Sequence, residues 1–244
     1  MKHLLYRLVL VLALMPTIAF AQKASSEVKN GQRLLIINSY NESAPWSNSI
    51  ITPLLRESVM MKGMDANVAH LYANQITNDS IFQHTKEELF KRYKQPDIIV
   101  MIGNMALCLR NDIKERWGDI PLLVCSEQDI VYPTNYYYTG IDIPYSEENP
   151  LSMASLQEEF NLTFLATPNY PEKTIDLMMR LMPNTKKFTF AADALYKNRL
   201  NEIRIKQHLA THYPNVEYER IVAQANIGSR LRDLLVSDNE DGTH

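Results

Sequence analysis

The chain has 244 residues and a formal net charge of −3. That balance argues against nucleic acid as a partner, because phosphate binding needs a basic surface. With seven glycines in all there is little from which to build a G-x-G-x-x-G loop, and neither that motif, nor G-x-x-x-x-G-K-S/T, nor the G-x-S-x-G elbow occurs.

The elements are taken in chain order. Met1, Lys2, His3 and Arg7 give a basic start, residues 8–14 an apolar core, Pro16 a break, and Ala19-Phe20-Ala21 a small-residue cleavage signature. Residues 1–21 are therefore expected to be a signal peptide, cleaved before Gln22, and residues 22–32 a flexible leader. The apolar run is short for a membrane span, which needs roughly 20 residues. The expected location is the periplasm. About 220 residues remain, enough for one large domain or two small lobes.

Residues 34–38 form a short continuous apolar run, the pattern of a strand buried on both faces. Residues 38–42 then fall at its carboxyl end, where open α/β sheets bind ligands. A helix is expected over 47–62, with Ile50, Ile51, Leu54, Leu55 and Val59 on one stripe and Pro53 constraining its start. Strands follow at 66–72, 97–102 and 121–125, separated by helices at 79–93 and 104–117. A fifth, more polar strand is expected at 137–141. Such alternation implies a parallel sheet covered on both faces.

Residues 144–150 are polar and turn-rich and read as a linker. Beyond them a strand is expected at 156–166, with a short helix at its start as the alternative. Helices at 171–182 and 194–213 enclose a strand at 187–191. A strand at 215–221, a helix at 227–236 and a polar tail at 237–244 complete the chain. The fold class is thus α/β, with two Rossmann-like lobes bearing parallel sheets, at 33–143 and 144–236. The second lobe is short of strands, either because it is truncated or because a partner completes it. Cys108 and Cys125 could pair in an oxidising compartment or stay as buried free thiols.

Candidate site residues are those at strand ends. Asn38, Ser39, Tyr40, Asn41, Glu42 and Trp46 form the first group: short polar side chains can donate and accept, and the rings can stack on a ligand. Asn104 follows Gly103 after the third strand and could contact a ligand or, more simply, cap the next helix. Ser126-Glu127-Gln128-Asp129 follows the fourth strand and could face a cleft or form an ordinary surface turn; Asp142 follows the fifth. Asn169, Tyr170 and Asp193 repeat the geometry in the second lobe. His208 and His212 are four apart on a helix but lack the further ligands that zinc needs, so no metal and no cofactor is expected.

Taken together, the exported leader, a strand running into Asn38-Ser39-Tyr40, Trp46 six residues on, and two α/β lobes in series resemble the type I periplasmic binding protein superfamily. Within it the chain is most similar to the ABC-transporter substrate-binding-like sensor regions of membrane histidine kinases, where a strand ending in N-S-Y with a Trp soon after is a recurrent opening. The resemblance implies a cleft that closes on a small molecule, no enzymatic activity in this chain, and a ligand-sensing role in a two-component system. The alternatives are a substrate-binding component of an ABC transporter, or a hydrolase on a doubly wound sheet. Candidate partners are a small-molecule ligand, a membrane kinase or permease, and a second copy of the chain.

Overall fold

The computed structural model of the protein describes residues 31–127, 129–139, 151–167 and 169–222. The expected signal peptide, most of the leader, Asp142, the linker, the helix at 227–236 and the tail lie outside the described residues.

Strand β1 (Arg33–Asn38) is buried along its whole length after Arg33. Leu34 and Ile36 point to one face, against Ile51, Val100 and Ile102. Leu35 and Ile37 point to the other, against Leu71, Phe82, Ile99 and Met101. At about 1.5–3 kcal/mol for each fully buried aliphatic side chain, these four contribute as much as the whole net stability of an ordinary domain, about 5–15 kcal/mol. The loop that β1 carries is therefore held on an immobile base.

Helix α1 (Pro45–Leu55) starts with proline in its first turn, and β2 (Asp65–His70) follows. The helix expected to run smoothly to residue 62 instead becomes a π-helical segment at Arg56–Met61. Pro53, inside α1, has no N–H for the carbonyl four residues back, and the ladder shifts to a wider register beyond it. Helix α2 (Asp79–Arg92) is capped by Asn78, whose Oδ1 accepts from Ile81 N. Strand β3 (Ile98–Ile102) leads into a helix that breaks in two, α3 (Asn104–Leu107) and α4 (Arg110–Trp117). Strand β4 (Leu122–Ser126) completes the regular alternation.

Two expectations fail in the middle of the chain. Residues 137–141 are not a strand where they are described: Thr134–Tyr137 is a 3-10 turn. Tyr136, Tyr137 and Tyr138 are 9%, 3% and 3% exposed, and a strand would have turned the middle ring to the opposite face from its neighbours. A short strand β5 (Ile130–Val131) instead pairs antiparallel with β6 (Leu151–Ser152). The segment at 156–166 takes its expected alternative, a short helix at the start: helix α5 (Met153–Glu159), capped by Ser152 Oγ accepting from Ser155 N, precedes strand β7 (Leu162–Ala166). Strand β7, expected in the second lobe, pairs parallel with β4 and extends the first sheet.

That sheet has the order β2-β1-β3-β4-β7, with every pair parallel. The order reverses between β1 and β3, and the crevice outside such a switch point is where doubly wound sheets hold ligands. The second lobe carries α6 (Pro171–Leu181), β8 (Lys187–Ala192), α7 (Tyr196–His212) and β9 (Glu217–Val222). Strands β8 and β9 are parallel, and Ile175, Met179, Phe188, Ile205 and Leu209 form the small core over them. Leu177, Leu181 and Met182 on and after α6 are exposed. On α7, His208 Nε2 contacts Asp176 Oδ1 at 2.7 Å from a largely buried position, whereas His212 one turn on is exposed. No described helix is long and apolar enough to cross a membrane.

Both cysteines are free and buried. Cys108 packs on one face of the sheet and Cys125 on the other, so the sheet itself separates them. Burial pushes the Cys108 thiol up to about 12 and raises that of Cys125 as well. Because the thiolate is the nucleophile, neither thiol is expected to react with a disulfide reagent in the native protein, even at mildly alkaline pH. Both should titrate once the chain is unfolded in guanidinium chloride. Rapid labelling of one thiol in the native state would show that this packing opens in solution.

Candidate functional site

The carboxyl ends of β1, β3 and β4 meet at the switch point, and most of their polar side chains are occupied with one another. Asn38 is fully buried. Its Nδ2 donates to Ser47 Oγ at 3.2 Å and lies 3.0 Å from His70 Nδ1, while its Oδ1 accepts from Tyr40 N at 3.2 Å. Asn38 thus ties β1 to α1, to β2 and to its own turn.

Ser39 has a second structural duty. Helix α3 begins after Gly103, which has no side chain to cap it. Ser39 Oγ fills that role from another strand, accepting from Ala106 N at 2.9 Å. Asn104, an expected cap, does not cap. Its Oδ1 accepts from Ser126 Oγ at 2.8 Å, and its Nδ2 faces the Tyr137 hydroxyl at 3.5 Å. Asn104, Ser126 and Tyr137 therefore join the β3 loop, the β4 end and the crossover segment in one chain of polar contacts.

The residues beyond this layer remain open. Tyr40 and Trp46 stand edge to face with centroids 5.5 Å apart. They line a cleft of about 360 Å³ together with Asn41, Ser43, Ala44, Pro45 and Asn74 from the first lobe. Asp193, Leu195 and Lys197, at the β8–α7 junction of the second lobe, form the opposite wall. A smaller recess of about 30 Å³ adjoins it, bounded by Ser39, Tyr40, Asn104, Tyr137, Tyr196 and Lys197.

Local geometry accounts for how these side chains are presented. Asn41 Oδ1 accepts from Ser43 N at 3.1 Å, a turn that delivers Pro45 and Trp46 to the start of α1. Asp193 Oδ1 accepts from Leu195 N at 2.9 Å and from Asn198 Nδ2 at 2.7 Å, holding the entry of α7. Arg199 Nη2 donates to Tyr136 O at 3.0 Å, which fixes α7 against the crossover from the first lobe.

The Lys197 ammonium reaches across the gap. Lys197 Nζ lies 5.1 Å from the Tyr40 centroid and 5.5 Å from the Trp46 centroid, and 3.8 Å from Glu127 Oε1. Burial, then Glu127, then Asp193 hold the Tyr40 phenol above its ordinary range, so Tyr40 is a neutral hydrogen-bonding group at any physiological pH.

Of the site residues expected from sequence, Tyr40, Asn41, Trp46 and Asp193 line the cleft, and Ser39 and Asn104 line the inner recess. Asn38 and Ser126 are buried beneath it, and Asp142 lies outside the described residues. Asn169 is near the site: its Nδ2 donates to Asn201 Oδ1 at 3.0 Å and reaches Glu127 Oε2 at 3.5 Å. Lys197, Asn74 and Leu195 were not foreseen. Lys197 does carry a faint signal, because a cation in the first turn of a helix opposes the helix dipole, typically by about 0.3–1 kcal/mol. A residue placed against that preference invites a search for its partner.

No protein-family model matches the chain, and no curated protein matches it in sequence. Solved structures do. One is a protein assigned as a LacI transcriptional regulator from Bacteroides fragilis, with a TM-score of 0.53 at 15% identity over 87% of this chain and 67% of that one. Another is an ABC sugar transporter subunit from Rhodobacter sphaeroides, with a TM-score of 0.49 at 13% identity over 88% of this chain and 66% of that one. A third is a carbohydrate transporter solute binding protein from Agrobacterium radiobacter in complex with D-arabinose, with a TM-score of 0.48 at 14% identity over 86% and 64%. The chain thus spans about two thirds or less of the length of these structures. At this identity the likeness is one of fold, and the fold is that of the type I periplasmic binding proteins.

Proposed function

We propose that this chain is an exported, non-enzymatic binding protein that takes one small molecule into the cleft between its lobes. The observation that carries this reading is the composition of the two walls: Tyr40 and Trp46 on one lobe face Asp193, Leu195 and Lys197 on the other. A volume of about 360 Å³ falls in the range of small-molecule sites, about 300–1,000 Å³. A ligand that touches both walls binds the closed arrangement better than an open one and shifts the equilibrium toward closure.

The side chains near the cleft support a binder over a hydrolase. Nucleophilic catalysis needs a nucleophile within reach of a base, whereas Ser39 Oγ is committed to Ala106 N and Ser43 Oγ donates to Asn41 Oδ1. The opening Asn38-Ser39-Tyr40 with Trp46, which resembles that of kinase-linked sensor regions, favours a ligand sensor whose closure is read by a membrane histidine kinase. Delivery of the ligand to a permease is the second reading, and it uses the same cleft.

The test is a thermal-shift screen of the purified chain against sugars, amino acids and nucleobases. A ligand at a hundred times its Kd adds about 2.7 kcal/mol of stability, which raises the Tm of a protein of this size by roughly 5–10 °C. Trp46→Ala is expected to abolish the shift. If no compound raises the Tm, or if Trp46→Ala leaves the shift unchanged, the cleft is not the binding site.

A further inference from the structure

We infer that the ligand of this cleft carries an organic cation, an alkylammonium group, and that Lys197 holds its place as a tethered competitor. This rests on the binding reading above and specifies its chemistry.

Tyr40 and Trp46 meet at an interplanar angle of 82° and form two walls of an aromatic corner. Such a corner attracts a cation through the negative faces of the rings. The Lys197 ammonium already occupies it, close to both centroids. The corner belongs to the first lobe and Lys197 to the second, so the protein's own cation reaches across the cleft to the position an incoming one would take.

The surrounding charge has the matching sign. Glu127 pairs with Lys197, and Asp193 lines the same cleft. Counting Glu127, Asp193 and Lys197, the site has a formal charge of −1 with Lys197 seated and −2 with it withdrawn. An anionic ligand would meet both carboxylates. A cationic ligand replaces Lys197 and restores the balance. The Lys197 side chain is 29% exposed and can swing toward solvent without unfolding the helix that carries it. Ala44, Pro45 and Leu195 beside the corner give an apolar lodging for the carbon skeleton of the ligand.

The experiment uses the purified chain with Trp117→Phe, which leaves Trp46 as the sole reporter of the two tryptophans. Binding of choline is followed by Trp46 fluorescence and by calorimetry at constant ionic strength. The neutral isostere 3,3-dimethyl-1-butanol serves as the comparison. Choline is expected to bind at least tenfold more tightly than the isostere. Lys197→Met is expected to tighten choline binding about tenfold, the gain for removing a competitor seated about nine-tenths of the time. Lys197→Gln, which keeps a polar terminus, should tighten it in the same direction if either variant misbehaves in folding.

The inference is overturned if the isostere binds as tightly as choline, or if both Lys197 variants leave choline binding unchanged or weaker. If a neutral sugar or an acid binds wild-type protein and Lys197→Met weakens it, the cleft stands as a binding site and only the cation assignment falls. If nothing perturbs Trp46 at all, both fall.

Discussion

Replacing Gly103 by alanine is expected to destabilise the first lobe by about 2–6 kcal/mol, the sum of two separate costs of about 1–3 kcal/mol each. The first is conformational. Gly103 adopts φ +80° and ψ 167°, a region that residues with a Cβ almost never occupy. The second is steric. A Cβ there would lie 2.9 Å from Ser39 Oγ, 3.0 Å from Ser39 Cβ and 3.0 Å from Tyr40 Cε2. Neither neighbour can retreat without loss, because Ser39 caps α3 and Tyr40 packs against Trp46. Both tryptophans belong to the first lobe, so denaturant titration followed by tryptophan fluorescence reads that lobe directly. The midpoint should fall with little change in slope. Gly118→Ala supplies the comparison: its φ is +85°, but nothing lies within 4 Å of the added carbon. It should show the conformational cost alone. Equal losses at the two positions would mean that the contact with Ser39 and Tyr40 contributes nothing.

The contrast between those glycines also marks how far the sequence could be read. The buried strands β1, β3 and β4 were legible because each is an apolar run that has only one place to go, between two covered faces. Helix α2, expected over 79–93, lies at Asp79–Arg92, although its Asn78 cap was not read from the sequence. The middle of the chain was not legible. Residues 151–166 hold a helix and an edge strand whose pairing with β4 depends on an exposed sheet edge, a condition no local pattern records. The tyrosine run resembles a strand until three consecutive rings must all be buried. At the site, the strand-end rule located the right loops but could not separate a side chain facing the cleft from one facing inward. Tyr40 and Trp46 face the cleft, whereas Asn38 and Ser126 lie beneath it. Lys197 was invisible for a different reason: its partners Tyr40 and Trp46 are distant in sequence and are brought to it only by the closure of one lobe on the other.

Asn38 is where the inward and outward readings give opposite results, so the substitution Asn38→Leu decides between them. Leucine nearly matches asparagine in shape but can neither donate nor accept. Tyr40 N loses its acceptor, Ser47 Oγ loses a donor, and His70 Nδ1 loses its contact at 3.0 Å. Ser47 keeps its bond to Ala44 O at 3.2 Å and His70 can turn toward Tyr40 O at 3.3 Å, so both recover in part. Tyr40 N has no such recourse among the contacts described. At about 1–3 kcal/mol for each buried polar group left without a partner, the expected loss is about 2–5 kcal/mol. The Tm should fall by roughly 5–15 °C for a chain of this size. Because the turn that carries Tyr40 loosens with it, ligand affinity should decline as well, but only alongside the fall in stability. A group that touched ligand would behave in the reverse way: the Tm of the unliganded protein would hold and binding alone would suffer. That outcome would move Asn38 from the floor of the site into its wall, and the base on which Tyr40 stands would need another explanation.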